Sequence, residues 1–334
     1  MIERKYKLKR TKIVATIGPA SLSKKKIRKM ILAGLNVCRI NFSHCNHEDA
    51  AKIISIIGEL NIELNTHVAV LGDLQGPKLR IGKVSNDNLL EKNQLITVRH
   101  GNGVSDKNNI FINYKDVAND VCVGEKILLD DGKILLRVQD INDGEISCII
   151  VQGGVIRPNK GFNLPNTKIS LPTMTEKDYV DLLFCIKKNV EWIALSFVRT
   201  GNDIISLKKI ITDHNGKSKV IAKIEKPEAI KNLKAIISNS DALMVARGDL
   251  GVEVPTQKVP VLQKRIVRAS RKNAKPVIIA TQMMESMMES INPSRAEVND
   301  VANSVMDGAD AVMLSGETSI GEHPVEVIKT MSSI

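Results

Sequence analysis

The sequence predicts an α/β fold, a closed (β/α)8 barrel of the TIM type with an all-β lid inserted after strand three, and three observations lead there. Short runs rich in Ile, Val and Ala recur along the chain and alternate with longer amphipathic stretches. These runs are apolar throughout instead of alternating with polar residues, as expected for parallel strands covered on both faces. Between residues 78 and 166 the texture changes to short β-like segments punctuated by Asp-Gly pairs, which marks a unit of another class.

In chain order, the first strand is expected at 12–17 and a helix at 24–33, stopped by Gly34 as a C-cap. A second strand at 36–41, a helix at 47–64 and a third strand at 68–73 follow. In the insert, strands are expected at 94–98, 126–129 and 134–138, with turns at Asp131-Gly132 and Asp143-Gly144. A helix opens at Thr175, where Asp178 three residues on completes a capping box. The remaining strands fall at 192–197, 220–224, 242–246, 277–280 and 311–314, which brings the count to eight. Residues 1–77 and 167–334 therefore form the barrel and 78–166 the lid, and an insert at the C-terminal mouth of a barrel strand hangs over the reacting groups.

At 334 residues and 43% apolar content, the chain can bury a large core and is long enough for about two domains. Its five cysteines, Cys38, Cys45, Cys122, Cys148 and Cys185, include no Cys-x-x-Cys pair, so neither a disulfide framework nor a zinc site is expected and a reducing cytoplasm fits. The basic start, MIERKYKLKR, is followed by no apolar signal core, which argues against a leader. No stretch approaches the roughly 18 apolar residues that span a bilayer. The net charge of +11 suits either nucleic acid or small polyanionic substrates. Aromatic residues make up only 3% and the lysines are scattered, which weighs against a nucleic-acid platform.

In such a barrel the reacting groups come from the C-terminal strand ends. Those ends supply Arg39, Asn41 and Ser43; Asp73; Ser196; Lys223 and Glu225; Arg247 and Asp249; Thr281; and Ser315 with Glu317. Lys223 and Glu225 lie two residues apart and so point the same way, and Asp249 follows the next strand in VARGDLG. Two carboxylates there suit a hard divalent ion, and the ammonium suits a phosphoryl group in transfer. The plainer alternative is a buried Lys-Glu ion pair closing the barrel top. Arg39 and Arg80 offer guanidinium forks that match phosphate. His44 and His47 in HCNH lack the companions of a metal site, and surface or nucleotide-stacking roles suit them better. Met283, Met284, Met287 and Met288 have helical spacing and read as packing.

The segments TKIVATIGPA, RINFSH, GDLQGPKLR, DDG, KGFNLP, TMTEKD, ALSFVR, AKIEKPEA, MVARGDLGVE, ATQMMESM and PSRAEVNDVANSVMDGADAVMLSGET occur in this order. Together they resemble the pyruvate kinase family from about residue 8 to 330, most specifically over 278–318, whereas the lid is matched only in pieces. The resemblance implies phosphoryl transfer from phosphoenolpyruvate to ADP, giving pyruvate and ATP in glycolysis, with Mg2+ or Mn2+ held by Glu225 and Asp249. It further implies that Lys223 stabilises the phosphoryl in flight, that Arg39 bridges phosphates, and that Thr281 lies near the substrate carboxylate and methyl carbon. The amides of Gly248 and Asp249 would receive that carboxylate, and His44, Arg80 and Lys160 would face the nucleotide. Thr281 through water, or Ser315, would protonate the enolate.

Two departures from the family pattern stand out. Potassium-dependent members read Asp-Thr-Lys-Gly-Pro-Glu where this chain has Asp73, Leu74, Gln75, Gly76, Pro77 and Lys78. An ammonium at 78 replaces the charge that potassium would bring, so Asn41, Ser43 and Asp73 are expected to be a vestigial monovalent-cation site and K+ to be dispensable. Family members also continue into a C-terminal regulatory domain, whereas this sequence stops at Ile334. Effector control through that domain is therefore expected to be absent, with homo-oligomerisation, if any, through barrel contacts. Two rival readings remain beside the main one: an enolate-forming divalent-metal barrel lyase, and an inactive truncated remnant with a binding role.

Overall fold

The structure, a computed structural model, describes residues 9–334. The expectation about a leader rests partly on residues that lie outside this range. The chain divides into two compact units: a barrel unit comprising the chain up to Gly76, Met174–Gly248 and Pro260–Ile334, and a second unit comprising Pro77–Thr173 with Asp249–Val259.

The barrel strands are β1 (Lys12–Thr16), β2 (Val37–Asn41), β3 (Ala69–Asp73), β4 (Trp192–Leu195), β5 (Lys219–Ile224), β6 (Ala242–Ala246), β7 (Val277–Ala280) and β8 (Ala311–Leu314). Each pairs in parallel with its neighbour, and β8 pairs with β1 to close the barrel. These strands lie within two residues of the expected runs. The largest difference is β4, which stops at Leu195 because Phe197 adopts a left-handed φ of 54° that no strand accommodates.

Side chains alternate across each strand, so one set fills the barrel bore and the other faces the helices. The bore packs Val14, Leu71, Ala194, Ile221, Met244, Ala280 and Met313, one from each of seven strands. Around the outside, the helix Lys24–Ala33 is capped by Ser23 and ended by Gly34, whose N–H reaches the carbonyls of Met30 and Ile31. The helix His47–Leu64 runs from an Asn46 cap to Asn65 in the left-handed region. The helix Glu176–Lys187 opens with the Thr175/Asp178 capping box. The methionine cluster packs as expected, with Met283, Met284 and Met287 fully buried. Its backbone, however, is only a 3-10 turn, Glu285–Met288, and not an α-helix.

The second unit has at its centre a six-stranded sheet in the order Phe162–Asn163, Lys126–Leu129, Ile134–Asn142, Glu145–Gln152, Leu95–His100 and Asn109–Ile112. Asp143 and Gly144 form a two-residue hairpin turn with φ of 50° and 80°, and Asn142 pairs with Glu145 across it. Asp131-Gly132 lies instead in a longer loop from Leu129 to Ile134, in which Asp130, Asp131 and Gly132 all have positive φ. The unit is mostly β and not wholly so, since it contains the short helix Val117–Asp120.

Its borders also differ from the expected 78–166. Residues beyond 166 stay with it because Thr167 Oγ1 donates to Glu125 Oε2 at 2.6 Å and Ser170 N–H donates to Asp120 Oδ2 at 2.7 Å. The Asp249–Val259 segment joins it in part through Asn163 Nδ2 and Glu253 Oε1 at 3.0 Å. Such distant polar pairings carry no local sequence signal. Among the described residues, no helix is long and apolar enough to cross a membrane.

Candidate active site

At the C-terminal end of the bore, the next inward-facing position on five strands or their ends is polar: Thr16, Arg39, Asp73, Ser196 and Lys223. Each lies two residues beyond an apolar bore residue, namely Val14, Val37, Leu71, Ala194 and Ile221. The side chains join into one network. Arg39 donates from Nε to Asp73 Oδ2 at 2.7 Å and from Nη1 to Thr16 Oγ1 at 2.8 Å. Lys223 Nζ lies 3.1 Å from Asp73 Oδ1 and 3.0 Å from Glu225 Oε1, and it donates to Ser196 Oγ at 2.7 Å. Ser196 Oγ in turn donates a hydrogen bond to the Leu74 carbonyl at 2.7 Å.

The plainer sequence reading, a buried Lys-Glu pair, is thus realised as part of a larger set of two cations and two carboxylates. All four side chains are buried, Asp73 and Glu225 almost completely. Burial alone would raise the Asp73 pKa, but the charges of Lys223 and Arg39 and their hydrogen bonds outweigh it and hold the carboxyl below its usual range.

The turn after β4 fixes Glu225 from a second side. The Phe197 N–H donates to Glu225 Oε2 at 2.7 Å, and Phe197 itself has a left-handed φ of 54°. Gly76 sits against the same turn with φ 71°, and a Cβ there would lie 2.7 Å from the Phe197 ring and 2.9 Å from Ser196 Cβ. Only glycine fits both the angle and the space. The Gly76 N–H is held by Asp178 Oδ1 at 3.0 Å.

A second group forms where β6 and β7 end. Thr281 has φ 72°, and its Oγ1 accepts the Gly248 N–H at 2.8 Å. Arg247 reaches back to the Thr281 carbonyl, from Nη2 at 2.6 Å and from Nε at 3.2 Å. Ser315 and Glu317 are tied locally, since Glu317 accepts the N–H groups of Ser315 at 2.7 Å and Met284 at 3.2 Å.

Among the expected monovalent-cation residues, Asn41 lies opposite Asp73 in the β2–β3 register. Asn41 Oδ1 accepts the Ser43 N–H at 3.1 Å, and Asp73 is engaged by Arg39 and Lys223. Lys78 places its ammonium 3.5 Å from Asp249 Oδ1. His44 is exposed in the loop after β2. His47 is a structural residue, stacked on Phe184 at 4.3 Å between centroids and paired through Nε2 with Asp181 Oδ1 at 2.8 Å. In the second unit, Arg80 Nη1 donates to the Asn159 carbonyl at 2.8 Å, and Lys160 Nζ lies 3.1 Å from Asp130 Oδ1. Arg80 and Gly161 also form a β-bridge, which places Arg80 beside the loop that carries Lys160.

Sequence reasoning missed Thr16, Asp300 and Asp130. Thr16 was available from the two-residue period beyond Val14, but a threonine inside KIVAT reads as an ordinary strand former. Asp300 and Asp130 act through contacts with residues distant in sequence or through an irregular loop, and nothing local announces either.

The sequence matches the family profile described as "Pyruvate kinase, barrel domain" over residues 8–328. It is 46% identical over 329 residues to the pyruvate kinase of Corynebacterium glutamicum, covering 98% of this chain and 69% of that protein. It is 43% identical over 326 residues to the pyruvate kinase of Thermococcus litoralis, covering 97% and 69%. To the pyruvate kinase of Staphylococcus aureus it is 45% identical over 333 residues, covering 98% of this chain and 56% of that protein. With a profile match and identities of this size running along nearly its whole length, the chain belongs to the pyruvate kinase family.

Proposed function

We propose that this chain itself catalyses transfer of the phosphoryl group from phosphoenolpyruvate to ADP, with Lys223, Arg39 and Thr281 as the catalytic side chains. The observation that carries this reading is the buried cluster at the bore mouth, in which Arg39 and Lys223 are each held by acceptors at hydrogen-bond distance. Phosphoryl transfer asks little covalent work of a protein and much electrostatic positioning. A guanidinium and an ammonium already fixed by Asp73, Thr16, Ser196 and Glu225 need little reorganisation when charge moves onto the transferring oxygens. Arg39 suits a phosphate because its fork is planar, whereas Lys223 supplies a compact charge.

Family membership implies a divalent cation. Among the described residues, no three His, Cys, Asp or Glu side chains form a metal cage. That suits magnesium, or manganese in its place, which takes one or two carboxylates and completes its shell with substrate oxygens and water. Glu225 and Asp249 are the acids proposed to hold it, and both offer hard oxygen donors. When bound, the ion supplies Lewis-acid stabilisation of the phosphoryl oxygens. Gly248 and Asp249 are proposed to receive the substrate carboxylate, the Gly248 N–H being shared with Thr281 Oγ1, and His44, Arg80 and Lys160 to contact the nucleotide.

Potassium is proposed to be dispensable. The ammonium of Lys78 stands where potassium-dependent relatives have a carboxylate, and the Asp73 charge is matched by two protein cations. Turnover in potassium-free tetraalkylammonium buffer should therefore match that in potassium buffer, and near-total loss there refutes the proposal.

The deciding experiment on function mixes purified chain, phosphoenolpyruvate, ADP and magnesium and follows pyruvate through a coupled assay. Pyruvate formation that needs all four components supports the reading, and none at micromolar enzyme rejects it.

A further inference from the structure

We propose that Arg247 and Asp300 are positioning residues that hold Thr281 in a strained left-handed backbone and so aim its hydroxyl for the reaction. The inference rests on the proposed role of Thr281 and goes beyond it by assigning what holds that residue in place.

A β-branched residue at positive φ is a true outlier that persists only when its surroundings enforce it. Thr281 has φ 72° and the next residue, Gln282, has φ 53°, so two successive residues lie in the left-handed region immediately after β7. No glycine relieves either position. Something must therefore anchor the backbone, and the anchor is Arg247. Its Nε and Nη2 converge on the Thr281 carbonyl at 3.2 and 2.6 Å, and Nη2 also reaches the Gln282 carbonyl at 3.1 Å. The opposite edge of the guanidinium is fixed by Asp300, with Nη1 donating to Oδ1 at 2.8 Å and Oδ2 at 2.7 Å.

The guanidinium is therefore a bracket with one side on a carboxylate and the other on two strained carbonyls. Arg247 is almost buried, at 11% side-chain exposure, so these contacts compete little with water. The geometry then passes to the hydroxyl. With its backbone held, Thr281 turns Oγ1 onto the Gly248 N–H at 2.8 Å, and Gly248 directly follows Arg247 in the chain. Arg247 thus grips the carbonyl of Thr281 while the adjacent residue grips its hydroxyl. Asp300 comes from a separate helix, Arg295–Met306, and locks the arginine from behind.

Loss of the bracket is expected to let residues 281–282 relax toward ordinary φ and to swing Oγ1 off its mark. A displacement of that order is worth about a hundredfold in rate for a group that must be aligned.

The test uses the full chain and two readouts. In Asp300→Asn, and in Arg247→Lys, which keeps the charge but loses the fork, hydrogen exchange of the Gly248 amide should rise at least about tenfold while far-UV circular dichroism stays unchanged. In the coupled assay, kcat/KM for phosphoenolpyruvate should fall about 10- to 100-fold with KM for ADP unmoved, and Asp300→Glu should recover part of the loss. The decisive comparison is Asp300→Asn in a Thr281→Gly background, where no hydroxyl remains and positive φ is unstrained. There the second substitution should add nothing to the loss in kcat/KM. Unchanged Gly248 exchange in both single variants overturns the bracket, as does full additivity in the double variant. If one single variant fails to fold, the other is read alone. A parent chain that makes no pyruvate rejects the functional reading instead, and the exchange measurement then still judges the bracket.

Discussion

Replacing Lys223 by methionine is expected to lower kcat for pyruvate formation by about 10³ to 10⁵, the range seen when a single cation that stabilises a transferring phosphoryl is removed. The size of the effect follows from where the ammonium sits. It is buried at the mouth of the bore and held by Asp73, Glu225 and Ser196, so water cannot replace the lost charge at the same point. Methionine fills a similar volume, which keeps the bore packed and isolates the electrostatic loss. Arginine should not rescue, because its planar fork is bulkier than the ammonium and presents its donors in another geometry.

A stability penalty accompanies the catalytic one. Two buried carboxylates lose a shared cation, and breaking a buried pair from one side costs about 3–5 kcal/mol. The two effects separate experimentally. Rates are compared well below the melting temperature of the variant, in single-turnover mode and with saturating phosphoenolpyruvate. Retention of more than a small fraction of the parent rate in protein shown to be folded would remove Lys223 from the chemistry and leave it as a structural ion-pair partner.

The barrel was legible because parallel strands buried on both faces need unbroken apolar sequence, and few other structures do. KIVAT, ALMVA and VIIA could be little else once they recurred between amphipathic helices. The polar crown was legible because such a barrel takes its reacting groups from the C-terminal strand ends. Arg39, Asp73 and Lys223 stood out as polar residues at the C-terminal ends of the apolar runs, and in the structure they are one another's partners.

What stayed hidden depended on residues far apart in sequence. Asp300 lies 53 positions from the arginine it holds, on a helix whose sequence gives Asp300 no special mark. The extension of the second unit through Thr173 depends on Glu125 and Asp120, and neither can be inferred from the residues they bind. Left-handed backbone at Phe197 and Thr281 was equally invisible, because such conformations are enforced by neighbours and run against the preference of the residues themselves.

Replacing Glu225 by glutamine should separate the two roles this carboxylate can have, because the substitution preserves shape and removes only the charge. In the structure Oε2 accepts the Phe197 N–H at 2.7 Å and Oε1 faces the Lys223 ammonium at 3.0 Å. A glutamine oxygen can keep one of these contacts, but the amide nitrogen must then point a donor at the other donor. If Glu225 holds the divalent ion, the variant loses both a hard anionic ligand and one unit of negative charge. Affinity for Mn2+, read by titration calorimetry in the presence of phosphoenolpyruvate, should then fall at least about 100-fold, since loss of an outer-shell partner alone costs 10–100-fold. Turnover should fall by about 10³, and raising magnesium should recover little of it because the transition-state charge is then poorly placed. If Glu225 is only the ion-pair partner of Lys223, metal affinity should be unchanged while the melting temperature drops. Asp249→Asn provides the matching arm: its carboxylate lies 3.5 Å from Lys78 in a partly exposed pair, so its loss should weaken the metal with little effect on stability. Equal metal affinity in parent and both variants would dismiss these two acids as ligands.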